Sequence, residues 1–251
     1  MDLGLAGRTY LVTGGTRGLG RATAEALVAD GANVVVSSRS QESVDDAVQA
    51  LGPQAAGLAV DNADADAADA LVALARERFG AVHGALISVG GPPAGAVSAM
   101  TDEQWRDAFE SVFLGGVRLA TTVAEHLDDA GSIAFVLSTS VKTPMPGLAI
   151  SNGLRPGLGM VAKSLADELG PRGIRVNALL PGRVDTDRVQ ELDALSGDAA
   201  AARAQASSTI PLRRYGRPEE FGRTAAFVLS PAAGYLTGVM LPVDGGITRA
   251  L

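Results

Sequence analysis

The run "YLVTGGTRGLGRATAEALVADGANVVVSSR", residues 10–39, carries the plainest chemistry in this sequence. Gly14, Gly18 and Gly20 stand in GxxxGxG spacing between an apolar strand-like run and a helix-like one. Glycines allow a tight turn and let the backbone approach a diphosphate. A helix starting near Gly18 aims its unpaired N–H groups and the positive end of its dipole at the anion. The flanking elements separate this pattern from an ordinary turn. The second strand-like run ends in Ser38 and Arg39, where an acid would accept hydrogen bonds from ribose hydroxyls and repel a phosphate. With Arg17 in the turn, two guanidinium groups are available to flank a 2′-phosphate, which favours NADP(H) over NAD(H). The alternative is two solvated surface arginines.

Other reactive residue types are sparse. The absence of cysteine excludes disulfides, thiolate catalysis and cysteine-bound zinc, and the two histidines, His83 and His126, lie in no ligand spacing. No metal is expected. Lys142, one of two lysines, follows Ser138 by four residues. Burial or a cationic neighbour tunes a lysine to act as an acid or to form a Schiff base; the alternative is an exposed surface lysine. A net charge of −7 argues against a nucleic-acid surface. The opening "MDLGLAGRTYLVTGG" lacks a basic leader region and no apolar stretch reaches membrane-spanning length, so a soluble cytoplasmic protein is the expectation.

These residues need a scaffold. The apolar runs "RTYLVTG", "ANVVVSS", "AAGLAV", "GALISVG", "GSIAFVLS", "IRVNALL" and "GVMLPV" alternate with alanine-rich helical stretches, "DEQWRDAFESVFLGGVRLATTVAEHL" among them. Parallel strands need crossovers, and crossover helices cover the sheet, so the pattern predicts a single α/β domain over residues 1–251 with helices on both faces. Residues 186–216, "TDRVQELDALSGDAAAARAQASSTIPLRRYG", break the alternation. They are expected to form a helical lid over a cleft, against the alternative of a solvent-facing helical pair.

Further motifs follow in order: "TGGTRGLG" (13–20), Asp61 in "AVDNAD", "NALLPGRVDT" (177–186), "GRPEE" (216–220) and "YLTGVMLPVDGG" (235–246). Over essentially its whole length the chain resembles the short-chain dehydrogenase/reductase family, of the 3-oxoacyl-carrier-protein-reductase type. The resemblance implies a Rossmann-type, doubly wound, seven-stranded parallel sheet. It also implies a dinucleotide held by Gly14, Thr16, Arg17, Gly18, Leu19 and Gly20, by Ser38 and Arg39, and by Asp61 and Asn62 near the adenine. Ser88, Val89 and Gly90 would contribute backbone groups, Arg155 a ribose contact, and Pro181, Gly182, Val184 and Thr186 contacts along the nicotinamide and diphosphate. A small carbonyl or alcohol substrate is implied, as is a homotetramer built partly on helices at 114–130 and 156–170, where Gly157 and Gly159 would permit close approach.

The catalytic positions depart from the family. Relatives carry NNAG where this chain reads "ISVG" (87–90), keeping only Gly90. The family's Asn, Ser, Tyr and Lys map onto Val112, Ser138, Ser151 and Arg155, so only Ser138 remains, thirteen residues before Ser151. A phenol titrates near 10 and is readily tuned for proton transfer, whereas an alkyl hydroxyl has no comparable acidity and an arginine keeps its proton. Arg155 is therefore expected to anchor cofactor without serving as the acid. Pro156 predicts a helix start directly after Arg155, with Ser151 or Asn152 in a capping turn, and with Ser151 in that turn, in the active site, or in both. The leading expectation is an NADP(H)-dependent oxidoreductase in which Ser138 polarises the substrate oxygen and the proton comes from water or Lys142. The alternatives are a nucleotide-binding pseudoenzyme, or a non-redox dehydratase- or cyclase-like homologue using Ser138 and Lys142.

Overall fold

The computed structural model describes residues 2–127, 130–195 and 197–250. Strands β1 (Thr9–Thr13), β2 (Asn33–Ser38), β3 (Ala55–Ala59), β4 (Gly84–Ile87), β5 (Ser132–Val136), β6 (Arg175–Pro181) and β7 (Met240–Val243) form one seven-stranded sheet in the order β3-β2-β1-β4-β5-β6-β7. Every pairing is parallel, with Leu11 beside Val35 on one side and Ala85 on the other. The order reverses between β1 and β4, which opens a crevice at the carboxyl ends of these strands. Residues flanking that switch point make up the candidate site.

Alternation along each strand sends side chains to two separate layers. Leu11, Val35, Ile133 and Val176 pack with Leu71 of α3 (Ala67–Phe79), Leu119 of α5 (Gly115–His126) and Leu158 of α6 (Ala149–Leu169). On the other face Tyr10, Val12, Val34 and Val36 meet Leu27 of α1 (Gly18–Ala29), Ala47 of α2 (Gln41–Leu51) and Phe221 of α9 (Pro218–Leu229). Each fully buried valine or leucine contributes about 1.5–3 kcal/mol, so the sheet's centre is held from both sides. Edge strand β7 is only half-buried and accommodates Pro242, whose missing N–H would break the ladder in the middle of a central strand.

Two local departures from expectation lie beside the site. The helix expected over "DEQWRDAFESVFLGGVRLATTVAEHL" is split into α4 (Asp102–Ala108) and α5 by a π-helical turn, Phe109–Leu114, which contains Val112. Helix α6 begins at Ala149, well before Pro156, which lies inside it. A proline in a helix interior removes one hydrogen bond and costs about 3 kcal/mol, but tertiary contacts hold the first turns of α6. Ala149, Ile150, Ser151 and Arg155 are buried, and the Ala149 N–H donates to the Gly95 oxygen. Neither Ser151 nor Asn152 caps the helix, because the cap position is Leu148, with no side-chain bond. Asn152 instead clamps the preceding loop: its Oδ1 accepts from the Met145 N–H at 3.0 Å and its Nδ2 donates to the Met145 oxygen at 2.8 Å.

Of the helix expected over 114–130, α5 ends at His126, and residues 128 and 129 lie outside the described residues. Gly157 and Gly159 make room within the chain, where a Cβ would stand 2.9 Å from the Phe113 ring and 3.2 Å from Val141, respectively. Residues 186–216 contain α7 (Asp187–Ala194) and α8 (Ala199–Thr209). Among the described residues no helix is long and apolar enough to cross a membrane.

Candidate functional site

The glycine turn sits where β1 hands over to α1. Gly14 and Gly18 have φ of +58° and +54°, in the region that favours glycine. A Cβ at Gly20 would stand 2.2 Å from the Gly14 oxygen, so no larger residue closes this turn. Thr13 ties β1 to the neighbouring loop: its Oγ1 donates to the Ser88 oxygen at 2.8 Å and accepts from the Ser88 N–H at 2.9 Å. That brings Ser88–Gly90 alongside Gly14, with Ser88's main-chain groups already engaged. From the far side Thr186 approaches, its Cγ2 lying 3.6 Å from where a Gly18 Cβ would be.

Arg17 and Arg39 are both exposed, and among the described residues neither forms an ion pair or side-chain hydrogen bond. Ser38 Oγ donates to the Ser40 oxygen, and Ser40 caps α2 by accepting from the Ser43 N–H. Asp61 Oδ1 accepts from the Ala63 N–H, shaping the turn after β3 that also carries Asn62. This cradle, closed to any Cβ at Gly20 and bordered by two unpartnered guanidinium groups, fits a phosphorylated dinucleotide.

The chemistry end lies at the exit of β5. Ser138 is half-buried, its Oγ accepting from the Ser140 N–H at 3.1 Å and lying 3.8 Å from the Met145 sulfur. Thr139 Oγ1 also points at that sulfur, at 3.5 Å. Ser151, 7% exposed, sits with its Oγ 3.4 Å from Ser140 Oγ, so among hydrogen bonds it pairs with Ser140 instead of Ser138. Lys142 is exposed at the end of the turn Thr139–Val141. Ser140 and Met145 join this group without having been singled out in the sequence, and Asn152 joins it in a role other than the cap expected of it.

Arg155 is as buried as Ser151, and its Nη1 donates to the oxygens of Val136 and Leu137, both at 2.8 Å. No carboxylate pairs with it among the described residues. Burial first, and the charge of Arg188 second, push its pKa down to about 10. Val112 is buried, and together with Ile87, Val89, Gly116, Phe135 and Leu158 it lines a small gap beside this guanidinium. The wall beside Arg155 is therefore apolar.

None of the three tyrosines is hydrogen-bonded to Ser138. Tyr10 OH donates to the Leu229 oxygen, and burial raises its pKa to about 12. Tyr215 OH donates to Asp193, a buried carboxylate of α7 that also accepts from Arg183 Nη1 at 2.6 Å. Tyr235 is exposed. Around Tyr215, Arg203 of α8 stacks over the ring at 4.5 Å and forms a two-point bond with Asp185, which fastens α8 to the segment after β6, as the Asp193–Arg183 pair fastens α7.

Comparison with known proteins agrees with this fold. The sequence family described as enoyl-(acyl carrier protein) reductase matches residues 14–248. The chain is 37% identical to the short-chain reductase protein NovJ of Streptomyces niveus, covering 94% of this chain and 92% of that one. It is 33% identical to a 3-oxoacyl-[acyl-carrier-protein] reductase of Synechocystis sp., with 97% and 98% covered. L-sorbose reductase of Gluconobacter frateurii, solved with NADPH and L-sorbose, superposes over all of both chains with a TM-score of 0.94 at 27% identity.

Proposed function

The chain belongs to the short-chain dehydrogenase/reductase family, and on that premise we propose that it is an NADP(H)-dependent oxidoreductase acting on a small carbonyl or alcohol, with an atypical active site. The observation that carries this reading is the glycine cradle flanked by unpartnered Arg17 and Arg39, a donor set matched to a 2′-phosphate. The NADPH complex of the sorbose reductase supports it. A bound NADP(H) supplies or accepts hydride, and the chain's own residues do the rest.

Ser138 holds its oxygen against the Ser140 N–H and directs its hydroxyl at a thioether, a weak acceptor. A substrate oxygen displaces the sulfur, takes that hydrogen bond, and is polarised by it. Ser151 orders Ser140 through their shared contact. The Arg155 N–H groups not bound to Val136 and Leu137 are those available to a ribose hydroxyl, and the guanidinium keeps its proton at neutral pH. Water or Lys142 supplies the proton, α7 and α8 cover the cleft, and four copies assemble. The test is a screen of carbonyl substrates for hydride transfer. Activity abolished in Ser138→Ala with NADPH binding intact supports the reading, and activity unchanged in that variant overturns the role of Ser138.

A second reading, a nucleotide-binding scaffold without turnover, is favoured by one observation: every tyrosine hydroxyl is committed away from Ser138 or exposed. Hydride transfer that depends on Ser138 would eliminate it.

A further inference from the structure

Arg188, in the first turn of α7, reaches across the crevice: its Nη2 donates to the Pro92 oxygen at 2.9 Å, a contact between residues 96 apart in the chain. Gly91 provides the space, since a Cβ there would stand 2.9 Å from Arg188 Nε. The bridge joins the two lips of the slot, because Gly91 follows Gly90 on one side and Arg188 follows Thr186, which faces Gly18, on the other.

The bridging bond is a weak use of a guanidinium. A neutral carbonyl is a poorer partner than an ionised oxygen. The ion pair with Glu191, 3.5 Å away on the same helix, joins side chains that are 40% and 58% exposed. The field of Arg188 also reaches buried Arg155, which has no carboxylate of its own among the described residues. Two like charges bearing on one slot leave it short of an anion.

Resting on the dinucleotide reading above, we propose that Arg188 is a phosphate ligand carried by the lid: it leaves the Pro92 carbonyl when a dinucleotide fills the slot, takes an oxygen of the nicotinamide-side phosphate of the diphosphate bridge, and thereby ties α7 to the bound cofactor. Closure of the lid is then driven by the ligand's own negative charge. A ligand without the bridge does not trigger it.

Calorimetry with NADPH and with adenosine 2′,5′-bisphosphate, which lacks the bridge, on wild type, Arg188→Met and Arg188→Lys tests this, together with amide exchange in α7. Arg188→Met is expected to weaken NADPH about tenfold, the loss of one charge-assisted bond, and to leave the bisphosphate unchanged, with Arg188→Lys in between. NADPH, but not the bisphosphate, slows exchange in α7 of the wild type, and this protection is lost in Arg188→Met. Equal NADPH affinity in wild type and Arg188→Met, or protection that persists in the variant, overturns the role of Arg188 alone. Failure of both nucleotides to bind wild type overturns the dinucleotide reading and this proposal with it.

Discussion

Arg155 donates through Nη1 to the main-chain oxygen of Leu137 at 2.8 Å, one residue before Ser138. With the matching bond to Val136 it braces the end of β5, the segment that leads into Ser138. The residue expected to touch cofactor thus also fixes the turn that presents a hydroxyl.

The depressed pKa of Arg155 shows that burial penalises its charge despite those two bonds. Arg155→Met is accordingly expected to change unfolding free energy by less than about 1 kcal/mol, while Arg155→Ala, which also opens a hole, loses about 2 kcal/mol or more. The Met variant should still show faster amide exchange over 138–142. Because the folded value lies below the unfolded one, the penalty is present at neutral pH and is relieved as pH rises through about 10. A Met variant destabilised by more than about 3 kcal/mol would mean that the charge is net stabilising.

With serine at position 151 and valine at 112, the wild type is expected to reduce simple β-ketoesters very slowly. The combined variant Val112→Asn, Ser151→Tyr, Arg155→Lys should be faster, measured by loss of NADPH absorbance. A fast wild type would show that a competent acid is present.

The sheet was legible because strands buried on both faces must be apolar throughout, and the cradle because glycine spacing is local. Other features left no local trace. The π-helical turn at Phe109–Leu114 uses ordinary helix-forming residues, and Pro156 signalled a helix start that the packing of Ala149–Arg155 overrode. Contacts such as Asn152 with Met145, Tyr215 with Asp193 and Arg188 with Pro92 depend on the fold to bring their partners together. Hydrophobic periodicity carries no information about them.

Asp193 is a buried carboxylate shared by Arg183 and Tyr215. Asp193→Ala leaves both donors unsatisfied and is expected to cost about 2 kcal/mol in urea unfolding and to speed proteolytic nicking between α7 and α8. Unchanged stability and nicking would show that this cluster does not hold α7 and α8 in place.

Glu220 accepts from both Nη groups of Arg214 and from the Arg217 N–H. These bonds, that of Arg214 foremost, hold its pKa at about 2, below its ordinary value of 4.5. Its contribution is therefore complete above pH 4.5 and is lost as pH falls toward 2. Its side chain is 32% exposed and that of Arg214 50%, so the pair contributes little and is screened by salt. Glu220→Gln should give a slightly flatter stability curve across that window at low salt, and an acid limb as steep as that of wild type would contradict this.

Side-by-side calorimetric titration of the wild type with NADPH and NADH tests the central claim, that the crevice beside Ser138 is a slot for a 2′-phosphorylated dinucleotide. Arg17 and Arg39 require NADPH to bind at least about tenfold tighter, a difference of about 1.4 kcal/mol. Equal affinities, or no heat from either nucleotide at millimolar concentration, would contradict it.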